Sequence, residues 1–395
     1  MRHELFYERD ELFDVNMVIT ISIDVEGTVT EDEAESAFRN AIAANEILNT
    51  KIVLDSNGTA FYEENLTPSS SLYKADGELD VIRINEERRR FKVEEGEYIR
   101  AFMKANEAGA SILFLMHHLG GDGKSLLYFI EDFMSFLSGA ECGFKIMRRT
   151  ENRVKLDAVS SAVAEYYNKR WCGKVFTFDD LDKSFESYWS RRISTIETEV
   201  IDEDEMASIM TKCHEAGVKF TAFLTARLIS DRKGIMDIGY AVDYRHDKNR
   251  SMGNQVSGIS IKYRYNSAKS LMENARRIQR KLDSKLQAHS KGSYVLSFVS
   301  RLNPTLRDAV SMEHSGYFHD KVSYRLAMLM GYVGKIKDYS ITNLKVADIP
   351  VRYGRYEIKQ MMFAGPVVSY GQNLISVVTC NGKTVISRHT RKEIK

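Results

Sequence analysis

A mixed α/β fold of the α+β kind is predicted from three observations. Short runs alternate apolar and polar residues with the period of a strand; longer runs repeat apolar residues at helical spacing; both kinds occur in each half of the 395-residue chain. In order along the chain, Phe13 to Gly27 has strand character through Val15, Met17, Ile19, Ile21, Ile23 and Val25. Thr30 suits a helix N-cap with Glu33 three residues on, and Ala34, Ala37, Phe38, Ala41 and Ile42 keep one helical face apolar. Ser111 to Met116 is an apolar strand run, and Leu126, Leu127, Ile130, Phe133, Met134 and Leu137 repeat helically until Gly139 ends the pattern.

Residues 140–200 are less regular, with Asp179 to Lys183 a charged run, and read as a linking segment. Beyond it, Glu203 to Glu215 and Thr221 to Ser230 read as helices, Ile238 to Arg245 and Val256 to Tyr265 as strands, and Ser267 to Gln287 as a long helix. Tyr339 to Leu344, Ile358 to Phe363 and Leu374 to Ile386 are strand-like, the last broken by Asn381-Gly382, a type I′ hairpin signal. Two domains are expected, 1–175 and 176–395.

Composition excludes little but points one way. The 56 basic and 55 acidic residues balance to +1, so no global field favours nucleic acid or an anionic membrane. Arg88-Arg89-Arg90 and Arg148-Arg149 read as solvated surface, with a phosphorylated cofactor as the other reading. Cys142, Cys172, Cys213 and Cys380 show no Cys-x-x-Cys spacing and read as free thiols in a reducing compartment. Charges run through the first eight residues where a secretory signal needs an apolar core, and no apolar run reaches membrane-span length, so a cytoplasmic location is expected. Asn65-Leu66-Thr67 has the form of a glycosylation acceptor, which carries no meaning without secretion. Met328-Leu329-Met330 and Met361-Met362-Phe363 read as core filling before acyl-pocket lining.

The chemistry concentrates at His117-His118-Leu119-Gly120-Gly121-Asp122-Gly123, between the apolar strand and the helix that begins at Lys124. A strand-to-helix junction with glycines lets a side chain leave the sheet edge and face a cleft. The helix N-terminus behind it favours negative charge nearby and lowers the proton affinity of an adjacent imidazole. Gly123-Lys124-Ser125 looks like the tail of a P-loop, but the position five residues before Gly123 is His118, so the loop fails where it must bend. A satisfied core histidine or a metal ligand stays open for the pair, although no third ligand stands near and no metal is expected.

Here the chain resembles a known family. His117 to Gly123 matches the His-His-x-x-x-Asp-Gly signature of the acyltransferase superfamily of chloramphenicol acetyltransferase, nonribosomal-peptide condensation domains, alcohol acetyltransferases and plant BAHD enzymes. Thr30 to Ile52 resembles the first helix and following strand of that superfamily, Ile47-Leu48-Asn49-Thr50 standing at its Leu-Arg-Thr, and Phe91 to Arg100 resembles the segment before its active-site strand. Gly217 to Leu224, Val242-Asp243-Tyr244-Arg245 and Met252 to Gly258 follow in the same order, so the resemblance spans nearly the whole chain. The Asp-Phe-Gly-Trp-Gly motif of the plant branch is absent, and the Arg-His-Glu of condensation domains is here Ala44-Asn45-Glu46.

The resemblance implies two chloramphenicol-acetyltransferase-like subdomains in a V around a cleft or tunnel. It implies His118 as general base with His117 supporting it, Asp122 as a structural carboxylate paired with a basic residue, and Gly123 leaving room for substrate. Arg245 is the candidate partner of Asp122. Transfer from a thioester to an alcohol or amine needs a base near neutrality, which imidazole supplies, and no permanently bound cofactor. Asn254, Ser340, Thr342 and Asn343 are candidate oxyanion or substrate contacts, with turn or strand duty the stronger reading for each.

The expected donor is acyl-CoA, since no carrier-protein or adenylation segment is joined to the sequence, and a carrier-protein phosphopantetheine thioester is the alternative. A hydroxyl or amino small molecule is the expected acceptor, and a monomer the expected state. A freestanding condensation enzyme and an idle docking protein of the same fold are the competing functions.

Overall fold

The computed structural model describes residues 2–152, 154–245, 247–289, 292–369 and 371–394. Its first large sheet is laid down early in the chain. Val18–Glu26 (β1) buries Val18, Ile19, Ile21, Ile23 and Val25, and Thr30 then caps the helix Glu31–Ala43 (α1). The Thr30 side chain accepts from the Glu33 amide while the Glu33 carboxylate accepts from Thr30 N, which satisfies two end donors reciprocally. Ser71–Lys74 (β2), Ile99–Ala105 (β3) and Gly109–His117 (β4) follow, and Gly123–Leu137 (α2) leaves directly behind β4.

β4 lies between β1 and β3, antiparallel to both. With neighbours on both edges and side chains covered on both faces, Ile112 to Met116 are each 2% exposed or less, which is why this run reads as continuous rather than alternating apolar sequence. Phe38 of α1, Phe129 and Phe133 of α2 and Phe114 of β4 make an edge-on chain, with centroids 5.4 Å apart for Phe38–Phe129, 6.1 Å for Phe114–Phe129 and 5.4 Å for Phe114–Phe133. Burying each such ring contributes about 1.5–3 kcal/mol. The helix that carries the Asp-Gly end of the motif is thereby fixed against the strand that carries its histidines.

The second large sheet is built from Arg192–Ile201 (β5), Met236–Asp243 (β6) and Val256–Tyr263 (β7), with the helices Leu271–His289 (α3) and Pro304–Glu313 (α4) following. Tyr339–Val346 (β8), Arg352–Tyr353 (β9), Tyr356–Ala364 (β10), Asn373–Cys380 (β11) and Lys383–Glu393 (β12) complete the strands. Its order is β7-β6-β8-β11-β12-β5, against β9-β10-β1-β4-β3-β2 in the first sheet. A small sheet joins Arg2–Glu4, Ala60–Glu64 and Thr50–Leu54.

β9 and β10 therefore come from the far end of the chain yet extend the first sheet, Phe363 pairing with Ile21 and Met361 with Ile23. β10 also touches the second sheet, where Gly365 N donates to Ser376 Oγ at 3.0 Å and Ser387 Oγ donates to Phe363 O. Between β11 and β12, Asn381 and Gly382 take φ of 48° and 75°, as a type I′ turn demands.

Four expectations change. Residues 140–200 contain two helices, Ala158–Asn168 and Phe178–Trp189, so the segment is more than a link. Met328 and Leu329 are 54% and 62% exposed, because the buried face of their helix carries Ser323, Leu326 and Ala327; Met361 and Phe363 fill core, and Met330 and Met362 pack against it half-buried. Arg90 is buried, since Asp182 at 2.5 Å and Glu94 bind it. Arg148 pairs with Asp247 at 2.6 Å instead of standing free in solvent. Among the described residues no helix is long and apolar enough to cross a membrane.

Candidate active site

The register of β4 sets the two histidines apart. Successive residues of a strand point to opposite faces, and here His117 N donates to Tyr98 O and His118 N to Met17 O, each at 2.8 Å. His117 is buried, its Nδ1 accepts from Leu119 N at 3.2 Å, and its ring stands 6.1 Å from that of Phe91. Burial, reinforced by the positive charge of His118, Arg90 and Arg100, pulls its pKa down to about 3. A neutral ring that spends one nitrogen on a backbone amide is a structural element of the turn.

His118 lies at the turn out of the strand, and its side chain keeps 16% of its surface open. Its Nδ1 faces Glu11 Oε2 at 3.3 Å. Burial works against the charged imidazolium, yet the Glu11 carboxylate, with Asp122 and the ring's own backbone carbonyl, more than offsets it, so the pKa lies above the ordinary histidine value.

Asp122 caps α2, accepting from Ser125 N at 3.0 Å. Arg245 donates to both of its oxygens, at 2.8 and 3.0 Å, and Gln255 N donates to Oδ2 at 2.9 Å. Arg245 also reaches Gly253 O at 3.0 Å and Ser125 Oγ at 3.1 Å. The two side chains are 2% and 1% exposed, so this carboxylate is turned into protein and consumed there. It ties the head of α2 to the loop between β6 and β7.

Gly121 has φ of 134°, and a Cβ there would sit 2.4 Å from Ser125 Cβ, so the motif's glycine answers both to backbone angle and to the capping turn. A Cβ at Gly123 would lie 3.0 Å from Phe363 Cζ and 3.3 Å from Leu344 Cδ2. The space that Gly123 leaves is bounded by those side chains of β10 and β8.

Glu11 is the residue that sequence reasoning missed. It ends the short turn Tyr7–Glu11, whose charged run Tyr7-Glu8-Arg9-Asp10-Glu11 has no apolar periodicity to mark it. The turn is anchored from α4: Arg9 makes two bonds of 2.7 and 2.5 Å to Asp308, and Arg307 donates to Asp10 Oδ1 at 2.7 Å, Phe6 O at 2.6 Å and Tyr7 O at 3.0 Å. Glu11 itself is buried, and Asn254 Nδ2 donates to its Oε1. Burial raises its pKa, helped by Glu8 and Asp10 and partly countered by His118.

The remaining candidates divide. Asn254 reaches the site through Glu11, while its own Oδ1 accepts from Val256 N at 3.0 Å and holds the loop. Ser340, Thr342 and Asn343 lie on β8, in register with Leu374, Ser376 and Val377 of β11. Asn343 spends its amide on Thr221 Oγ1 at 3.2 Å and its oxygen on Lys345 N at 2.7 Å. Among the described residues no hydrogen bond joins these three to His118 or Glu11.

Beside the site is a cavity of about 460 Å³ whose wall includes Tyr7, Glu8, Ile47, Tyr62, Arg149 and Asn254. That volume suits a small molecule. Tyr62 donates to Leu119 O at 3.0 Å, so the wall is bonded to the histidine turn itself.

No protein-family model and no curated protein matches the chain by sequence. Solved structures do match in shape. The trichothecene 15-O-acetyltransferase of Fusarium sporotrichioides is 11% identical over 98% of this chain and 91% of its own, with a TM-score of 0.65. The first condensation domain of the calcium-dependent antibiotic synthetase is 12% identical over 99% and 90%, at 0.63. Polyketide synthase associated protein 5 from Mycobacterium tuberculosis is 14% identical over 98% and 94%, at 0.61. The chain thus has the mixed α/β fold shared by condensation domains and that acetyltransferase, with its two chloramphenicol-acetyltransferase-like subdomains.

Proposed function

We propose that the chain is an acyltransferase in which His118 takes a proton from a hydroxyl or amino acceptor as that acceptor attacks a thioester. The observation that carries the reading is a partly exposed His118 whose Nδ1 is engaged by a carboxylate, while Asp122 is locked away by Arg245. One group is left for chemistry and the other for architecture.

Imidazole Nε2 accepts the proton from the acceptor, whose oxygen or nitrogen forms a bond to the thioester carbonyl carbon. The tetrahedral intermediate then collapses, the carbon–sulfur bond breaks, and the leaving thiolate takes the proton back from the imidazolium. General-base catalysis of this kind is worth about 10²–10⁴-fold, so positioning in the cleft must supply much of the rest. The cycle needs neither a covalent acyl-enzyme nor a permanent cofactor.

The proposed donor is acyl-CoA, which the likeness to an acetyltransferase supports; the likeness to a condensation domain makes a carrier-protein thioester the second reading. Four unpaired thiols fit a reducing, cytoplasmic setting. We place the subdomains at 1–175 and 176–395 with the acceptor in the cleft between them, and we take the protein as a monomer.

The test is thiol release from acetyl-CoA, longer acyl-CoAs and an acylated carrier protein in the presence of acceptor mixtures. Turnover that falls about 10²–10⁴-fold in His118→Ala, with stability unchanged, supports the reading. Unchanged turnover in that variant removes His118 as the base, and inertness of the intact protein toward every donor moves the weight to a docking role.

A further inference from the structure

His118 is the only half of a dyad if its other nitrogen is ignored. A general base of this type works best when one ring nitrogen is held as N–H by an acceptor, which leaves the second nitrogen's lone pair aimed at substrate. In this chain the acceptor is present and comes from an unexpected place, the turn at residues 7–11.

We infer that Glu11 is the positioning residue for His118: its carboxylate holds Nδ1–H, fixes the ring with Nε2 toward the cleft, and stabilises the imidazolium formed when the acceptor's proton arrives. The inference rests on the reading of His118 as the base. Glu11 Oε2 and His118 Nδ1 stand 3.3 Å apart at ion-pair distance, and among the described residues neither atom completes a hydrogen bond with any group, so each is the other's nearest counterpart in a buried setting. The opposite oxygen, Oε1, is clamped by Asn254 Nδ2, so rotation of the carboxylate away from the ring would break a buried bond. The turn beneath is held by Arg9–Asp308 and by the three bonds of Arg307, which makes the position rigid without any help from the histidine.

The charged groups facing this pair come from four directions. Glu8 and Asp10 lie on the turn of Glu11. Asp122 approaches from the head of α2, already matched by Arg245 from the β6–β7 loop. His117 stands next in the chain and is held neutral by its burial. Among the described residues Glu11 is thus the carboxylate nearest the ring, and no Lys or Arg pairs with it. Both groups bind protons more tightly than they do in water, for opposite reasons: burial raises Glu11 in spite of His118, and Glu11 raises His118 in spite of burial.

Glu11→Gln separates charge from architecture, because the amide oxygen can still accept from Asn254 while the anion is gone. The midpoint of His118, followed by NMR from its ring carbon signal, is expected to move down in Glu11→Gln and to be largely restored in Glu11→Asp. The acid limb of the kcat/KM profile should move in the same direction, with kcat lower in the amide variant by up to about 10⁴-fold, the loss seen when a triad's orienting carboxylate becomes an amide. An unchanged ring titration in Glu11→Gln overturns the inference, whatever the rate does. If the intact protein turns over no thioester, the functional reading fails, while the NMR titration still decides between pairing and mere proximity. If turnover depends on His118 but the Glu11→Gln profile matches the parent, the function stands and the dyad does not.

Discussion

Asp122 and Arg245 meet through two nearly parallel hydrogen bonds of 2.8 and 3.0 Å although 123 positions separate them in the chain. The pair joins the motif's own helix to the loop that supplies Asn254, a junction that Arg250 extends to Glu131 at 3.2 Å, and it helps to align the base with the carboxylate beyond it. Removing either partner leaves the other charged and buried, which costs about 3–5 kcal/mol. Asp122→Ala and Arg245→Ala are each expected to lose that much in urea unfolding. The double variant should lose clearly less than the sum of the two.

Acid should destabilise the fold through two histidines. His117 and His314 both have pKa values pulled down to about 3, first by burial and then by neighbouring cations. An unfolded histidine titrates near 6.5. Their contribution is therefore complete above about pH 6.5 and is lost as pH falls through the window down to about 3. Urea midpoints measured across that window should decline, and His117→Gln should flatten the decline.

The turn that bears Glu11 should be sensitive to its remote anchor. Arg9→Met strips Asp308, which is fully buried, of its bidentate partner and is expected to cost about 3–5 kcal/mol. Burial already lifts Asp308 to about 6 in the folded chain, so its share of the destabilisation grows as pH rises from the ordinary aspartate range through 6. Thermal melts of Arg9→Met at pH 5 and 8 should show the larger loss at the higher pH.

Gly121→Ala tests the turn directly. The added methyl would meet Ser125 Cβ at 2.4 Å on a backbone with φ of 134°, so a loss of about 1–3 kcal/mol is expected, together with reduced turnover. Ser125→Gly in the same chain, measured against Ser125→Gly alone to allow for the lost Oγ bonds to Gly253 and Arg245, should relieve the contact but leave the backbone strain. Recovery in the melting curve should thus be partial, and full recovery would show that the angle costs nothing.

Local signals were the legible ones. Thr30 and Glu33 mark a helix start because their bonds are made within four residues, and Asn381-Gly382 marks a hairpin because both positions tolerate positive φ. The pairing of Asp122 with Arg245 was legible only through the family resemblance of Val242 to Arg245, since spacing says nothing about a contact across the fold. Phe178–Trp189 could have been found, as Thr177 and Asp180 form a capping box ahead of Leu181, Phe185 and Tyr188; the charged residues between them hid it. Glu11 carried no signal of its own, because its burial depends on Arg307, Asp308 and Asn254, each supplied by a distant part of the sequence. The exposure of Met328 and Leu329 was hidden for the converse reason: apolar composition does not report which face a helix turns outward.

The late strand β10 sets a condition on synthesis. Until residues 356–364 leave the ribosome, Val18–Glu26 has one bare edge, its amides and carbonyls open to any passing chain. A newborn polypeptide must therefore carry that exposed template while every residue between Glu26 and Tyr356 is made, and the first sheet is completed only when β10 arrives.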